Sequence, residues 1–202
     1  PSSGNLGGVA EKTREAMLVA EAAGHDVVIV ETVGVGQSEI AVANMTDMFV
    51  LIQLPNAGDD LQAIKKGVME LADLVLINKV DLDPHAATRA QAQITSSLRL
   101  FGMHGNPDHA HHDQSIWHPK VLRLSALKNE GVSEFWTEVQ NFKNIQLDNG
   151  EFGARRKSQA QSWMWERIDA GLKQRFHGHP AVQSQLPILS NEVNQGLVAP
   201  SV

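Results

Sequence analysis

Val9, Thr13, Ala16, Met17 and Ala20 recur at helical spacing, and Gly24 follows where a helix would stop. Three short apolar runs come next, Val27–Val30, Met48–Leu54 and Leu74–Ile77. Their continuous, largely β-branched character suits strands buried on both faces of a parallel sheet. Between the last two, Leu61, Ile64, Val68 and Leu71 mark one helix face, with Asp59 and Asp60 as candidate caps. Asp83 and Pro84 open another helix, the first capping and the second pre-set for the first turn, with Ala90, Ile94 and Leu98 facing inward. A fourth strand is expected at Val121–Leu124, followed by a helix through Val132, Phe135, Trp136 and Val139. Strand and helix alternate throughout. That order predicts an α/β fold, a doubly wound and mostly parallel sheet with flanking helices, whose ligands bind at the carboxyl ends of the strands.

After about Leu147 the strand pattern ends. Arg155–Phe176 reads as one long helix carrying Trp163, Trp165, Ile168, Leu172 and Phe176, and a second helix is expected from Ala181 to about Gln195. Residues 1–147 are therefore expected to form the sheet domain and residues 148–202 a C-terminal helical appendage. Trp163, Met164 and Trp165 on an amphipathic helix read as core or dimer contacts in preference to a cofactor platform.

With 202 residues, 42% of them hydrophobic, the chain can bury one sizeable core. A net charge of −6 argues against broad nucleic-acid or acidic-membrane binding, which needs clustered Lys and Arg. Cysteine is absent, which excludes disulfides, thiolate metal sites and a Cys nucleophile. No apolar stretch reaches the roughly 18 residues that span a bilayer. A cytoplasmic protein is expected, or one of the mitochondrial matrix if the source is eukaryotic.

The stretch ETVGVGQS at residues 31–38 follows the run DVVIV, and a strand entering a glycine-rich turn suggests phosphate. Two familiar loops do not fit. The pattern G-x-x-x-x-G-K-[ST] fails because Glu31 stands at the first glycine and uncharged Gln37 at the lysine. The pattern G-x-G-x-x-G fails because Glu39 stands at the third glycine. Three signals do fall at strand ends: ETVG at 31–34, NKVD at 78–81 and SAL at 125–127. In a doubly wound sheet those ends share one edge. Asp81 can accept both N1–H and the exocyclic amine of guanine, a donor pair that adenine lacks. Asn78 can hold the loop, the Lys79 stem can lie along the base plane, and the amide of Ser125 or of Ala126 can donate to guanine O6.

ETVG resembles the acidic-x-x-Gly element of P-loop GTPases, in which the acid, here Glu31, holds Mg²⁺ through water and the glycine amide, here Gly34, meets the γ-phosphate. Together, ETVGVGQSE, LPNAGDDLQAIKKGVMELAD, INKVD and RRKSQAQSWMWERI resemble the MeaB/ArgK family, SIMIBI-class GTPases that include the methylmalonic aciduria type A proteins. The likeness runs from PSSGNLGG to the WMW helix. It implies a GTPase chaperone that gates adenosylcobalamin delivery to, and protects, an adenosylcobalamin-dependent acyl-CoA mutase such as methylmalonyl-CoA mutase. It implies GTP/GDP and Mg²⁺ as cofactors, guanine-nucleotide binding by Gly34, Asn78, Lys79, Asp81, Ser125, Ala126 and Leu127, and catalytic roles for Glu31 and Lys65. The segment matching Pro55–Lys66 is then a third switch loop that contacts the mutase, and the C-terminal helices serve a homodimer. The family's phosphate-binding loop lies upstream of the segment that matches Pro1, so residues 1–147 are expected to be a partial, N-terminally truncated GTPase domain. Such a chain alone would bind GTP poorly and hydrolyse it hardly at all.

Two other functions compete. His104, His109, His111, His112 and His118 crowd the stretch MHGNPDHAHHDQSIWH, which motivates a metal-inserting GTPase of the nickel-delivery kind. The Gly, Pro and Asp content of that stretch equally suits a surface loop between helix and strand. The third reading is a non-catalytic, truncated interaction module.

Overall fold

The structure is a computed structural model that describes residues 6–32, 38–56, 66–100, 115–199 and 201. Helix α1 spans Leu6–Ala22 and α2 Ser38–Ala43; strand β1 is Val50–Gln53; α3 is Lys66–Glu70; β2 is Leu74–Ile77; α4 is Pro84–Leu100; β3 is Lys120–Arg123. Helices α5, Val132–Asp148, α6, Glu151–Gly178, and α7, Pro180–Asn194, complete the order.

All four residues of β2 are buried, and the alternation of a strand sends them to opposite faces. Val75 and Ile77 pack with Ala87, Ala90, Ile94 and Leu98 of α4. Leu74 and Leu76 pack with Trp117 and with Phe142 of α5. Helices thus cover both faces of the strand, as the uninterrupted LVLI run requires, and each of the four β2 side chains contributes about 1.5–3 kcal/mol by leaving water. β2 is the centre of a parallel sheet of order β1-β2-β3, with Gln53 beside Ile77 and Ile77 beside Arg123. The expected cap of α4 is present: Asp83 Oδ1 accepts the Ala86 amide at 2.8 Å.

The run Val27–Val30, expected as a strand, forms none, and Val27 and Ile29 are exposed at 53% and 87%. β-propensity yields a strand only where a neighbouring backbone takes up the N–H and C=O groups. Among the described residues, the paired neighbour of β1 is β2 alone. The expected strand Met48–Leu54 contracts to its central four residues. Of the helix expected around Leu61–Leu71, the structure describes Lys66–Glu70; Asp59, Asp60, Leu61 and Ile64 lie outside the described residues.

At the amino ends of the strands, Asp73 joins four segments. Its Oδ2 accepts the Phe49 amide at 2.8 Å, its carbonyl accepts Trp117 Nε1 at 2.8 Å, and its carboxylate pairs with Arg155. Arg156 bonds Asp47 through Nε at 2.6 Å and Glu21 through Nη2 at 2.8 Å. The chain accordingly divides into compact units Pro1–Arg156 and Lys157–Val202. Arg155 and Arg156 lie within the first of these units and fasten the first turns of α6 to it.

Candidate functional site

β2 and β3 run parallel and in register, so the chain leaves both at the same edge. Leu124 N donates to Ile77 O at 2.9 Å, Val80 N to Leu124 O at 3.3 Å, and Asn78 N to Gln53 O at 2.9 Å. These bonds stitch the turn after β2 to its neighbours on either side. Within the turn Lys79 adopts φ 61°, a left-handed conformation unusual for a residue with a side chain. Asn78 holds it there: its Oδ1 accepts the Lys79 amide at 2.7 Å and the Ala126 amide at 3.1 Å. One carboxamide oxygen thus fixes both loops. Left-handed backbone at non-glycine positions persists where the surroundings determine it, often at functional sites.

Asp81 Oδ1 accepts the Ser125 hydroxyl at 2.5 Å. That bond holds the Asp81 carboxyl below the ordinary carboxylate range, with the turn's own amide and the charges of Lys128 and Lys79 adding to it against partial desolvation. Ser125 is itself fully buried. Its Oγ accepts the Lys128 amide at 3.2 Å, and its backbone exchanges two bonds with Glu130, at 2.9 and 3.1 Å. Gly131 closes the loop at φ 76°; a Cβ there would lie 2.4 Å from Arg123 O. The turn from Ser125 to Gly131 is therefore sharply bent and tied at its neck.

The structure brings Asn78, Lys79, Asp81, Ser125 and Ala126 into one bonded group at this edge, with Leu127, 88% exposed, on the same loop. The two amides expected to compete for guanine O6 are both engaged within the protein: that of Ser125 in the bridge to Glu130, that of exposed Ala126 on half-buried Asn78 Oδ1. Glu31 lies in the irregular stretch after α1 and is exposed. Gly34 and Lys65 lie outside the described residues, as do His104, His109, His111 and His112. Of that stretch, His118 is described and is half-buried. Among the described residues no group of three or more His, Asp or Glu is placed to hold a metal ion, and no helix is long and apolar enough to cross a membrane.

Sequence reasoning missed Lys128, whose amide donates to Ser125 Oγ at 3.2 Å and whose charge helps to lower the Asp81 carboxyl. It stands one residue beyond the SAL signal, and no motif marks it. Chemically, the edge presents an ionised carboxylate, aimed by a serine and flanked by lysines, beside a carboxamide and an exposed backbone loop. Such a carboxylate suits a planar ligand edge carrying two adjacent N–H donors.

Residues 1–181 match the family model described as methylmalonyl Co-A mutase-associated GTPase MeaB. The methylmalonic aciduria type A homolog, mitochondrial, of Mus musculus is 42% identical over 201 residues, which cover 99% of this chain and 46% of that protein. GTPase ArgK of Escherichia coli is 46% identical over 170 residues, 84% of this chain and 49% of that one. The crystal structure of LAO/AO transport system kinase aligns with a TM-score of 0.68 and 33% identity, over 96% of this chain and 60% of that one. The chain spans about half the length of the curated relatives it matches.

Proposed function

The chain belongs to the MeaB family of methylmalonyl-CoA mutase-associated GTPases, and on that premise we propose that the full-length protein hydrolyses GTP and gates adenosylcobalamin delivery to, and protects, a B12-dependent acyl-CoA mutase. The observation that carries the nucleotide part is the Ser125–Asp81 hydrogen bond. It keeps an acceptor-only carboxylate at the end of the central strand, which favours guanine over adenine by matching N1–H and the 2-amine. Asn78 organises the two base loops, the Lys79 stem lies along the base plane, Leu127 offers apolar surface beside it, and the Ala126 amide exchanges Asn78 Oδ1 for guanine O6. Ser125's amide, held in its bridge, is the less available donor.

Glu31 is the residue of this chain that fits Mg²⁺: an exposed carboxylate is a hard oxygen donor able to hold the ion through water. When bound, the ion neutralises charge on the phosphates. Gly34 would meet the γ-phosphate, and intrinsic turnover would be slow, since Val35 rather than a water-orienting Gln follows it. Lys65, in the switch segment, would couple nucleotide state to the mutase. The two C-terminal helices would form a homodimer.

The test is calorimetric titration of the full-length protein with GTP, GDP and ATP, and GTP turnover with and without the mutase. Binding of GTP and GDP without ATP, and turnover stimulated by the mutase, is the expected result. Equal affinity for ATP would end the guanine reading. Lys65→Ala should leave GTP affinity nearly intact and reduce the stimulation; unchanged stimulation would remove its switch role.

A further inference from the structure

Asn149 and Gly150 link α5 to α6, and they form the one Asn-Gly pair of the sequence. Asn149 N donates to Ile145 O at 3.0 Å and Gly150 N to Leu147 O at 3.3 Å, which closes α5. The Gly150 carbonyl accepts the Ala154 amide at 3.2 Å, which opens α6. Both ends of the Asn149 side chain are engaged as well: Nδ2 donates to Ser115 O at 2.7 Å, and Oδ1 accepts the Glu151 amide at 2.9 Å. Both residues are exposed, so water reaches them.

We propose that Asn149–Gly150 is a self-modification site, held closed by the fold and opened by local release of the α5–α6 link, at which Asn149 becomes aspartate or isoaspartate. The chemistry needs the chain and water alone. The Gly150 nitrogen, unhindered because glycine has no Cβ, attacks Asn149 Cγ; the new C–N bond closes a cyclic imide, and the side-chain nitrogen leaves as ammonia with the glycine's amide proton. Water then opens the imide, at Cγ to give aspartate or at the backbone carbonyl to give isoaspartate. In the folded chain Asn149 stands at φ −89° and ψ −4°, which eclipses the Gly150 nitrogen with Asn149's own nitrogen and turns it away from Cβ. The hydrogen bonds of the link hold it there. Either product is one-way: a carboxylate has no N–H for Ser115 O, and isoaspartate adds a methylene to the backbone between the two helices. Release of this end does not require the sheet to come apart, because the bonds of Arg156 to Asp47 and Glu21 are exposed.

The test incubates full-length protein at neutral pH and follows the amide-to-acid mass change at Asn149 by peptide mapping, with the two products separated by chromatography. Conversion should be at least about tenfold slower in folded protein than in urea-unfolded protein, because the link must first open. Gly150→Ala hinders the attacking nitrogen and should slow conversion in the unfolded chain. Two further variants separate local from global opening. Arg156→Ala frees the first turns of α6 and should speed conversion in folded protein by about threefold, the scale of an exposed ion pair. Ile94→Val loosens the packing of α4 on β2 and lowers stability to urea, yet it should leave the rate at Asn149 unchanged. No conversion at Asn149 in unfolded protein, or an unchanged rate there in Gly150→Ala, overturns the chemistry. Equal rates in folded and unfolded protein, an unchanged rate in Arg156→Ala, or a rate that rises in Ile94→Val overturns the local gate.

Discussion

Arg155 and Asp73, 82 residues apart in the chain, meet through two parallel hydrogen bonds, Nη2 to Oδ1 and Nη1 to Oδ2, each 2.8 Å. The pair is largely shielded, and the same Arg155 Nη1 reaches Asp47 O at 2.6 Å. The carboxylate beside it raises the guanidinium's pKa further, so Arg155 is charged at every working pH. Arg155→Ala leaves the Asp73 carboxylate with, among the described residues, the Phe49 amide and should lower stability to urea by about 2 kcal/mol, between the values for exposed and fully buried pairs. Arg155→Lys, unable to form the fork, should recover less than half of that. Wild-type stability in both variants would show the clamp to be idle.

Asp81→Asn replaces an acceptor by a mixed donor and acceptor opposite the base. GTP affinity should fall by about 2–3 kcal/mol as a charge-assisted, two-point contact is lost. Preference should move toward xanthosine triphosphate, whose ring presents the complementary acceptor. Calorimetry with both nucleotides reads this; undiminished GTP binding would refute Asp81 as the base reader.

The Ser125 hydroxyl donates to the ionised form of Asp81, which sets the sign of a pH effect. The folded-state pKa lies below the ordinary value of 3.8. The stabilisation is present above that value and is lost as pH falls through the lower, folded one. Ser125→Ala removes the largest cause, so the Asp81 carboxyl should titrate at a higher pH than in wild type. Carboxyl-detected NMR measures both midpoints. Coincident midpoints would mean the serine does not hold the charge.

Gly131 should tolerate no side chain. Alanine there combines an unfavourable φ of 76° with a Cβ 2.4 Å from the backbone oxygen of Arg123. The loss should be about 2 kcal/mol or more, measured by thermal unfolding. Guanine affinity should drop as well, because Gly131 closes the loop that bears Ser125 and Ala126. Gly150, also at positive φ, meets nothing within 4 Å and serves as the control.

On α6, Trp165, Ile168, Leu172 and Phe176 follow one another at intervals of three and four residues, and their exposures are 55%, 41%, 61% and 56%. Spacing of this kind lays one apolar stripe along a helix. In the proposed homodimer the stripe is covered, so Leu172→Glu should turn a dimer into a monomer in sedimentation velocity while leaving the sheet unit folded. A variant that remains dimeric would place the interface elsewhere.

What could be read from the sequence follows the range of the forces involved. LVLI announces a strand covered on both faces because its burial is a property of four adjacent side chains, and Asp83-Pro84 announces a helix start because capping is local. NKVD and SAL stand out in the sequence as short polar turns after apolar runs, and Ser125 on Asp81 and Asn78 on Ala126 join them in the structure. VVIV misleads because strand formation needs a partner backbone, and side chains do not reveal whether one is beside it. Arg155 and Arg156 are silent in the sequence for a related reason. Each acts across a distance in the chain, and nothing about an arginine at the start of a helix says which aspartate it will find.

β2 has ladders on both sides and helices over both faces, and this bears on how the protein opens. Solvent can reach the amides of Leu74–Ile77 only when the sheet unit comes apart as a whole, whereas the neighbouring edge strands can fray separately. Deuterium should therefore enter β2 last, at a rate set by the global unfolding equilibrium, so those few amides act as a built-in gauge of the unit's total stability. Any nucleotide or partner that tightens the fold would be registered there first as slower exchange, even when it binds far from the strand.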